Sequence, residues 1–206
     1  MVEITKIESQ KNKEKFNLFV NGQFYSSVLK ETAIANNFFV GKQIEQSLLD
    51  CIITESESKQ AFNKASDYLA TRLHSKQELK LKLLKRGFCM QAIDIALNKL
   101  QQYGYINDTA FAQLYVEANN KLSKQMLYNK LFAKGIDKQV IDNVLQGVSN
   151  HAQLDVAINL TQKYLKNKSF EDCKSKLYAY LVRKGFTYEL INKAIKKVTK
   201  KDIDWE

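Results

Sequence analysis

Residues 75–88 read Ser75-Lys76-Gln77-Glu78-Leu79-Lys80-Leu81-Lys82-Leu83-Leu84-Lys85-Arg86-Gly87-Phe88, and their pattern returns twice further along the chain. Gly87, Gly135 and Gly185 each follow a basic residue (Arg86, Lys134, Lys184) and precede an apolar one (Phe88, Ile136, Phe186). Eight residues before these glycines stand Leu79, Leu127 and Leu177; four before stand Leu83, Leu131 and Leu181. That is helical spacing on one buried face. Six after come Ile93, Ile141 and Ile191; ten after, Leu97, Leu145 and Ile195; thirteen after, Leu100, Val148 and Val198. Chance does not align so many columns in three copies, so the chain carries a triplicated module.

Stop and start signals resolve each module into three helices. In the first, a helix through Tyr68 and Leu69 ends near Arg72, and Ser75 with Glu78 has the form of a capping box. The second helix runs to Arg86, where Lys85 and Arg86 complement the negative end of the helix dipole and Gly87 supplies a left-handed C′ residue. The third carries Ile93, Leu97 and Leu100 and stops at Gly104; Asn107 or Asp108 then caps the next helix, whose Phe111, Ala112, Tyr115 and Val116 face inward. Module three opens around Ser149–Leu165 and closes over Ile191–Val198.

Ahead of the modules the period changes. Phe16, Leu18 and Val20 alternate with polar partners, Asn21-Gly22 follows, and Phe24–Val28 resumes the β pattern. An Asn-Gly pair between such runs signals a hairpin, because a type I′ turn needs positive φ twice. Ile4–Ile7 supplies a third strand and about residues 31–37 a covering helix, and after Gly41 the pattern is helical throughout. The fold class is therefore mainly α: three tandem three-helix modules, about nine helices, behind a small β-hairpin or three-strand segment. The expected boundaries are 1–60, 61–104, 105–148 and 149–206.

The 206 residues contain 45% hydrophobic and 26% charged side chains, seven glycines and no proline. This balance supports a packed interior and excludes disorder, collagen-like and proline-rich readings. The net charge is +10, and it is unevenly placed: residues 1–63 are net −1 and residues 64–206 net +11. An excess of this kind favours an anionic partner. Cys51, Cys89 and Cys173 are too far apart for a zinc knuckle and odd in number; they read as buried small hydrophobes in a reducing compartment. Neither a signal peptide nor a long apolar run is present, so the expected location is the cytoplasm, with no membrane attachment.

A catalytic reading finds nothing to build on. The two histidines, His74 and His151, read as surface or capping residues, with no HExxH around either. Phosphate-cradling glycine loops are absent, so no nucleotide cofactor is expected. Asp202, Asp204 and Glu206 form a terminal acidic cluster, a weak basis for a metal site. Tyr103, Tyr105 and Tyr115 could stack on bases, but their spacing beside core positions favours packing. Lys76, Lys80 and Lys82 should point away from the Leu79/Leu83 stripe, with few acids nearby to neutralise them. Such a face is either solvated and dipole-complementing or a binding surface.

The run Tyr68-Leu69, Arg72, Ser75, Glu78-Leu79, Lys82-Leu83, Gly87-Phe88, Ile93, Leu97, Leu100, Gly104-Tyr105, Asp108, Phe111-Ala112 and Tyr115-Val116, followed by Leu131 and Lys134-Gly135-Ile136, resembles the RecX regulators of the RecA recombinase. The strand-rich N-terminus is similar to the extension carried by the Firmicutes branch of that family. His74 departs from the pattern where a second basic residue is expected after Arg72, and Asn119-Asn120 stand where an arginine often ends the helix. The resemblance implies a non-enzymatic, monomeric regulator that binds RecA and its filament on single-stranded DNA. It would insert along the filament groove and inhibit strand exchange and ATP turnover in homologous recombination, DNA repair and the SOS response. Arg72, Lys82, Lys85, Arg86, Lys130, Lys134, Arg183 and Lys184 are the candidate contacts to RecA or DNA. The alternative is a tandem helical-bundle protein that binds nucleic acid directly, without a protein partner.

Overall fold

The computed structural model describes residues 1–10 and 14–200. Strands β1 (Val2–Ser9), β2 (Lys15–Val20) and β3 (Gln23–Leu29) precede α1 (Lys30–Ala35), β4 (Gln43–Ile44) and the 26-residue α2 (Gln46–Thr71). Module 1 continues with α3 (Lys76–Lys85) and α4 (Met90–Gln102); module 2 is α5 (Asp108–Ala118), α6 (Lys124–Ala133) and α7 (Lys138–Gln146); module 3 is α8 (Asn150–Leu165), α9 (Phe170–Arg183) and α10 (Tyr188–Thr199). The chain divides into two compact units, Met1–Ile106 and Asn107–Glu206.

The sheet has strand order β3-β2-β1-β4, all antiparallel. Asn21 and Gly22 both take positive φ, +49° and +83°, as a type I′ hairpin requires. Thr5 bulges out of register between Ile4 and Lys6, and its hydroxyl accepts the Gly22 N–H (2.9 Å) and donates to the Phe19 carbonyl. The fourth strand corrects the expectation of an all-helical chain after Gly41: Val2 pairs with Ile44 and Glu3 with Gln43. Two residues are too few to carry a period of two. One face of the sheet packs Leu18, Val20 and Val28 with Ala33 of α1 and with Leu49 and Ile53 of α2. Further along α2, Ala61 and Ala65 enter a second core with Leu79, Leu83, Ile93, Leu97 and Leu100. One uninterrupted helix thus serves two cores, which ties the sheet and module 1 into one unit.

The repeat columns are core. The leucines eight and four residues before each glycine are at most 1% exposed, and Ile93, Ile141 and Ile191 are fully buried. Two columns loosen: after the glycines Phe88 is half-buried where Ile136 and Phe186 are buried, and in the last column Leu100 is buried whereas Val148 and Val198 are half-buried at helix ends. Each second helix ends in a Schellman cap. The N–H groups of Phe88, Ile136 and Phe186 donate to Leu83, Leu131 and Leu181, and those of Gly87, Gly135 and Gly185 donate to Leu84, Phe132 and Val182. The three glycines sit at φ +85°, +75° and +81°, where a Cβ is strained. Helix starts are capped by Ser75, Asn107, Ser123 and Ser149, each accepting the N–H three residues on.

Modules 2 and 3 share one unit through a buried polar contact. Gln153, 3% exposed, accepts the Lys124 N–H (2.8 Å) and donates to the Leu122 carbonyl, while the buried Ser123 hydroxyl donates to the Lys184 carbonyl. Every buried polar group in this contact has its partner, which is what makes such a contact specific.

Candidate functional site

In module 1 the basic residues converge on Tyr68 and His74. His74 is 2% exposed, a correction to the surface or capping role expected of it. It precedes the N-cap Ser75, and residues at that position characteristically fold back over the first helical turn. Its Nδ1 lies 3.0 Å from the Arg72 carbonyl, so Nδ1 carries the proton, and Nε2 accepts from Lys82 Nζ at 2.6 Å. Burial lowers the His74 pKa, and the Arg72 and Lys82 charges push it the same way, against the Arg72 carbonyl bond. Lys82 also stands 4.5 Å from the Tyr68 ring centroid, and Arg86 Nε donates to the Tyr68 hydroxyl (3.3 Å). Arg72 pairs with Glu78 at 3.2 Å.

The outward face expected for Lys76, Lys80 and Lys82 is half-buried instead. Lys76 donates to Asn98 and Gln101, and Lys80 pairs with Asp94 at 2.8 Å, so α4 supplies the partners that the local sequence lacks. Of the candidate contacts in this module, Arg72, Lys82 and Arg86 are held together by Glu78, His74 and Tyr68; Lys85 is exposed beside them.

The equivalent cation leans on aromatic rings in the other modules. Lys134 Nζ lies 5.4 Å from the Tyr115 centroid and 5.7 Å from that of Phe111; Lys184 Nζ lies 5.5 Å from Tyr180. Lys130 and Arg183 are exposed, one turn or less before these residues. Arg86, Lys134 and Lys184 are all helix C-caps, so a cation beside a helix's negative end and an aromatic face recurs in each module.

Two further features were hidden in the sequence. Tyr103 and Tyr105 are 57% and 61% exposed, contrary to the packing expected of them, because they flank the left-handed Gly104 just beyond the buried stripe of α4. With Phe62, Leu69, Ala70 and Leu73 they line a groove of about 650 Å³. Phe62, Tyr103 and Tyr105 meet edge-to-face at 6.2 Å centroid spacing, and Lys99 Nζ stands 5.8 Å from the Phe62 ring. Tyr115 is half-buried against Phe111, as packing requires. The second feature is in module 3, where Tyr164 of α8 meets Tyr180 of α9 at 5.1 Å and Lys168 Nζ sits 4.1 Å over Tyr164.

The cysteine expectation holds for one residue of three. Cys173 is buried, but Cys51 and Cys89 are exposed, the latter because it caps α4, its sulfur accepting the Ala92 N–H at 3.5 Å. Among the described residues no group of His, Cys, Asp and Glu is arranged to hold a metal; Asp202, Asp204 and Glu206 lie outside them. No helix among the described residues is long and apolar enough to cross a membrane.

A small antiparallel sheet followed by three-helix modules with recurring basic caps defines a class of repeat-built, basic helical proteins. Family models match in that order: the regulatory protein RecX N-terminal domain at residues 2–45, the RecX first three-helix domain at 61–100 and the RecX third three-helix domain at 152–195. The regulatory protein RecX of Bacillus licheniformis is 32% identical over 201 residues, 94% of this chain and 76% of that one. That of Clostridium beijerinckii is 30% identical over 99% of both chains. A crystal structure of a regulatory protein RecX superposes with a TM-score of 0.67 over 98% of this chain at 22% identity, and that of RecX from Lactobacillus salivarius with 0.64 over 70% at 24%. The chain belongs to the RecX family of regulatory proteins.

Proposed function

We propose that this protein is a non-enzymatic, monomeric regulator of RecA that binds the RecA filament on single-stranded DNA in the cytoplasm. By binding there it restrains strand exchange and ATP turnover in recombination, repair and the SOS response. The observation that carries the reading is the end-to-end match to a regulatory protein RecX, 99% of each chain. The residues agree with it. Three modules (61–104, 105–148 and 149–206, after an N-terminal segment 1–60) repeat one exposed helix end, with Lys85 and Arg86, Lys130 and Lys134, and Arg183 and Lys184 as the contacts. Arg72 and Lys82 complete the set in module 1. The aromatic groove beside Tyr103 and Tyr105 adds apolar surface of the sort that protein interfaces bury at their centres.

The physics of a repeated contact is avidity. One exposed ion pair contributes only about 0–1 kcal/mol, but once one module has docked, the others bind at high effective concentration. Reversing Arg86, Lys134 and Lys184 to Glu together should weaken co-sedimentation with RecA filaments at least about tenfold, while circular dichroism is unchanged because the three residues are helix caps. Retention of filament binding at the wild-type concentration removes these residues from the interface. Salt separates the reading from direct nucleic-acid binding. Adding salt should release the protein from bare DNA while it stays on the filament; equal loss from both contradicts a protein partner.

A further inference from the structure

The two compact units are held together internally in different ways. In the first, α2 carries Leu49 and Ile53 into the core of the sheet and Ala61 and Ala65 into that of module 1, so an apolar helix spans the joint. In the second, the core of module 2 draws on residues 111–148 and that of module 3 on residues 154–195, and among the described residues the two share no side chain. Module 2 is tied to module 3 by polar groups instead. Ser123 Oγ donates to the Lys184 carbonyl, and Gln153 accepts the Lys124 N–H at 2.8 Å and donates to the Leu122 carbonyl at 3.3 Å.

The covalent link beside these bonds is short. Val148 belongs to module 2, with its N–H on the Leu145 carbonyl and its side chain against that core. Ser149 belongs to module 3, where its Oγ accepts the Ala152 N–H and caps α8. A pivot therefore falls between two neighbouring residues, each fixed to its own module. The modules approach closely at Gly185, where a Cβ would fall 2.8 Å from Ser123 Oγ and 2.9 Å from Gln125 Cβ. Next to that point a cleft of about 350 Å³ opens between Lys124, Gln125, Asn150, Gln153 and Lys193, so the bonded groups have solvent at hand.

We infer that this contact is a polar latch: modules 2 and 3 swing between a closed and an open arrangement about residues 148 and 149, while each module stays folded. Opening uncovers neither core, so the hydrophobic effect that holds each module together does not oppose it. The released amide, carbonyl and hydroxyl groups pass to water, an exchange that shifts an equilibrium by only roughly two- to tenfold per bond. Unfolding a module, in contrast, exposes its buried leucine columns, Leu127 and Leu131 or Leu177 and Leu181. Hinges of this kind need only a few residues at an element end, which is where Val148 and Ser149 stand. Because the latch acceptor is the Lys184 carbonyl, opening gives the helix end of module 3 a second spacing from Lys130 and Lys134 of module 2. That consequence rests on the proposed function; the hinge does not, and its assay contains neither RecA nor DNA.

The full chain is labelled with a donor and an acceptor dye at Gln139→Cys and Ser175→Cys, exposed positions in modules 2 and 3, after the exposed Cys51 and Cys89 are replaced by Ser. Single-molecule energy transfer then reads the distance between the modules. The wild type should populate mainly the closed arrangement. Gln153→Ala removes two of the bonds and leaves the Lys124 N–H and Leu122 carbonyl unpaired only while the latch is closed, so the ratio of open to closed should rise at least about tenfold. Gly185→Ala drives a Cβ into the contact and should move the ratio the same way, whereas Gly87→Ala, with the same left-handed backbone and open space around it, should not. The amides of Leu131 and Leu181, fully buried in the two cores, should keep their exchange protection in Gln153→Ala. One population at the same efficiency in the wild type and in Gln153→Ala overturns the inference. So does a change in efficiency that comes with loss of protection at Leu131 or Leu181, which would make the event an unfolding.

Discussion

Modules 1 and 3 bury the same leucine columns and close their second helices on the same left-handed glycine, yet they place their basic residues differently. In module 1 the cations are engaged within the fold: Arg72 with Glu78, Lys80 with Asp94, Lys82 with His74 and Tyr68. In module 3, among the described residues, the cations at the ends of α8 and α9 pair with no carboxylate, and Lys168 and Lys184 rest on tyrosine rings. Charge in the sequence is therefore not the same as charge available at the surface. What decides is the neighbouring helix: α4 carries Asp94, Asn98 and Gln101 toward α3, whereas the α8–α9 contact presents one tyrosine to another.

The comparison breaks first at the cores. Leu83→Ala and Leu181→Ala remove equivalent, fully buried side chains and should each cost about 2–5 kcal/mol in urea unfolding. A loss below about 0.5 kcal/mol in either would mean that the columns are not equivalent. The glycine caps sharpen it next. A Cβ on Gly87 meets open space, so Gly87→Ala should carry only the left-handed strain, roughly 1–2 kcal/mol. At Gly185 the same Cβ falls 2.8 Å from Ser123 Oγ and 2.9 Å from Gln125 Cβ, adding about 1–3 kcal/mol of overpacking where modules 2 and 3 join. Equal melting temperatures for the two variants would contradict the buried contact through Ser123.

Acid should weaken module 1 through His74. Its folded pKa lies below the ordinary value of 6.5, so the unfolded chain binds the proton more readily. The stability this contributes is full above 6.5 and is lost as pH falls from there toward the folded pKa. The protection factors of the Leu79 and Leu83 amides, each taken against the intrinsic exchange rate at that pH, should fall between pH 7.5 and 5.5 in the wild type, and His74→Asn should flatten that dependence. The smallest expected effect is at the half-exposed Lys80–Asp94 pair, where a double-mutant cycle should give about 0–1 kcal/mol.

The modules were legible because their information is periodic and local. Leu79, Leu83, Ile93 and Leu97 repeat at helical spacing, and Gly87 and the Asn21-Gly22 pair mark conformations that few residues adopt. The candidate surfaces were less so, since they depend on which helices cross. Tyr164 and Tyr180 are 16 residues apart with no shared period, and Lys80 meets Asp94 only because α3 packs on α4. Tyr103 and Tyr105 look like core by composition, and only the reversal at Gly104 turns them outward. His74 carries no signal except its place before a serine cap.

The regulatory reading is tested most directly by the rate of single-stranded-DNA-dependent ATP hydrolysis by RecA as the full chain is titrated in. The account predicts that the rate falls as protein is added and reaches its floor below one protein per RecA, because the proposed function has the repeated helix ends of one chain dock at more than one place on the filament. A rate that stays constant at several-fold excess over RecA, with the protein folded by circular dichroism, would contradict it.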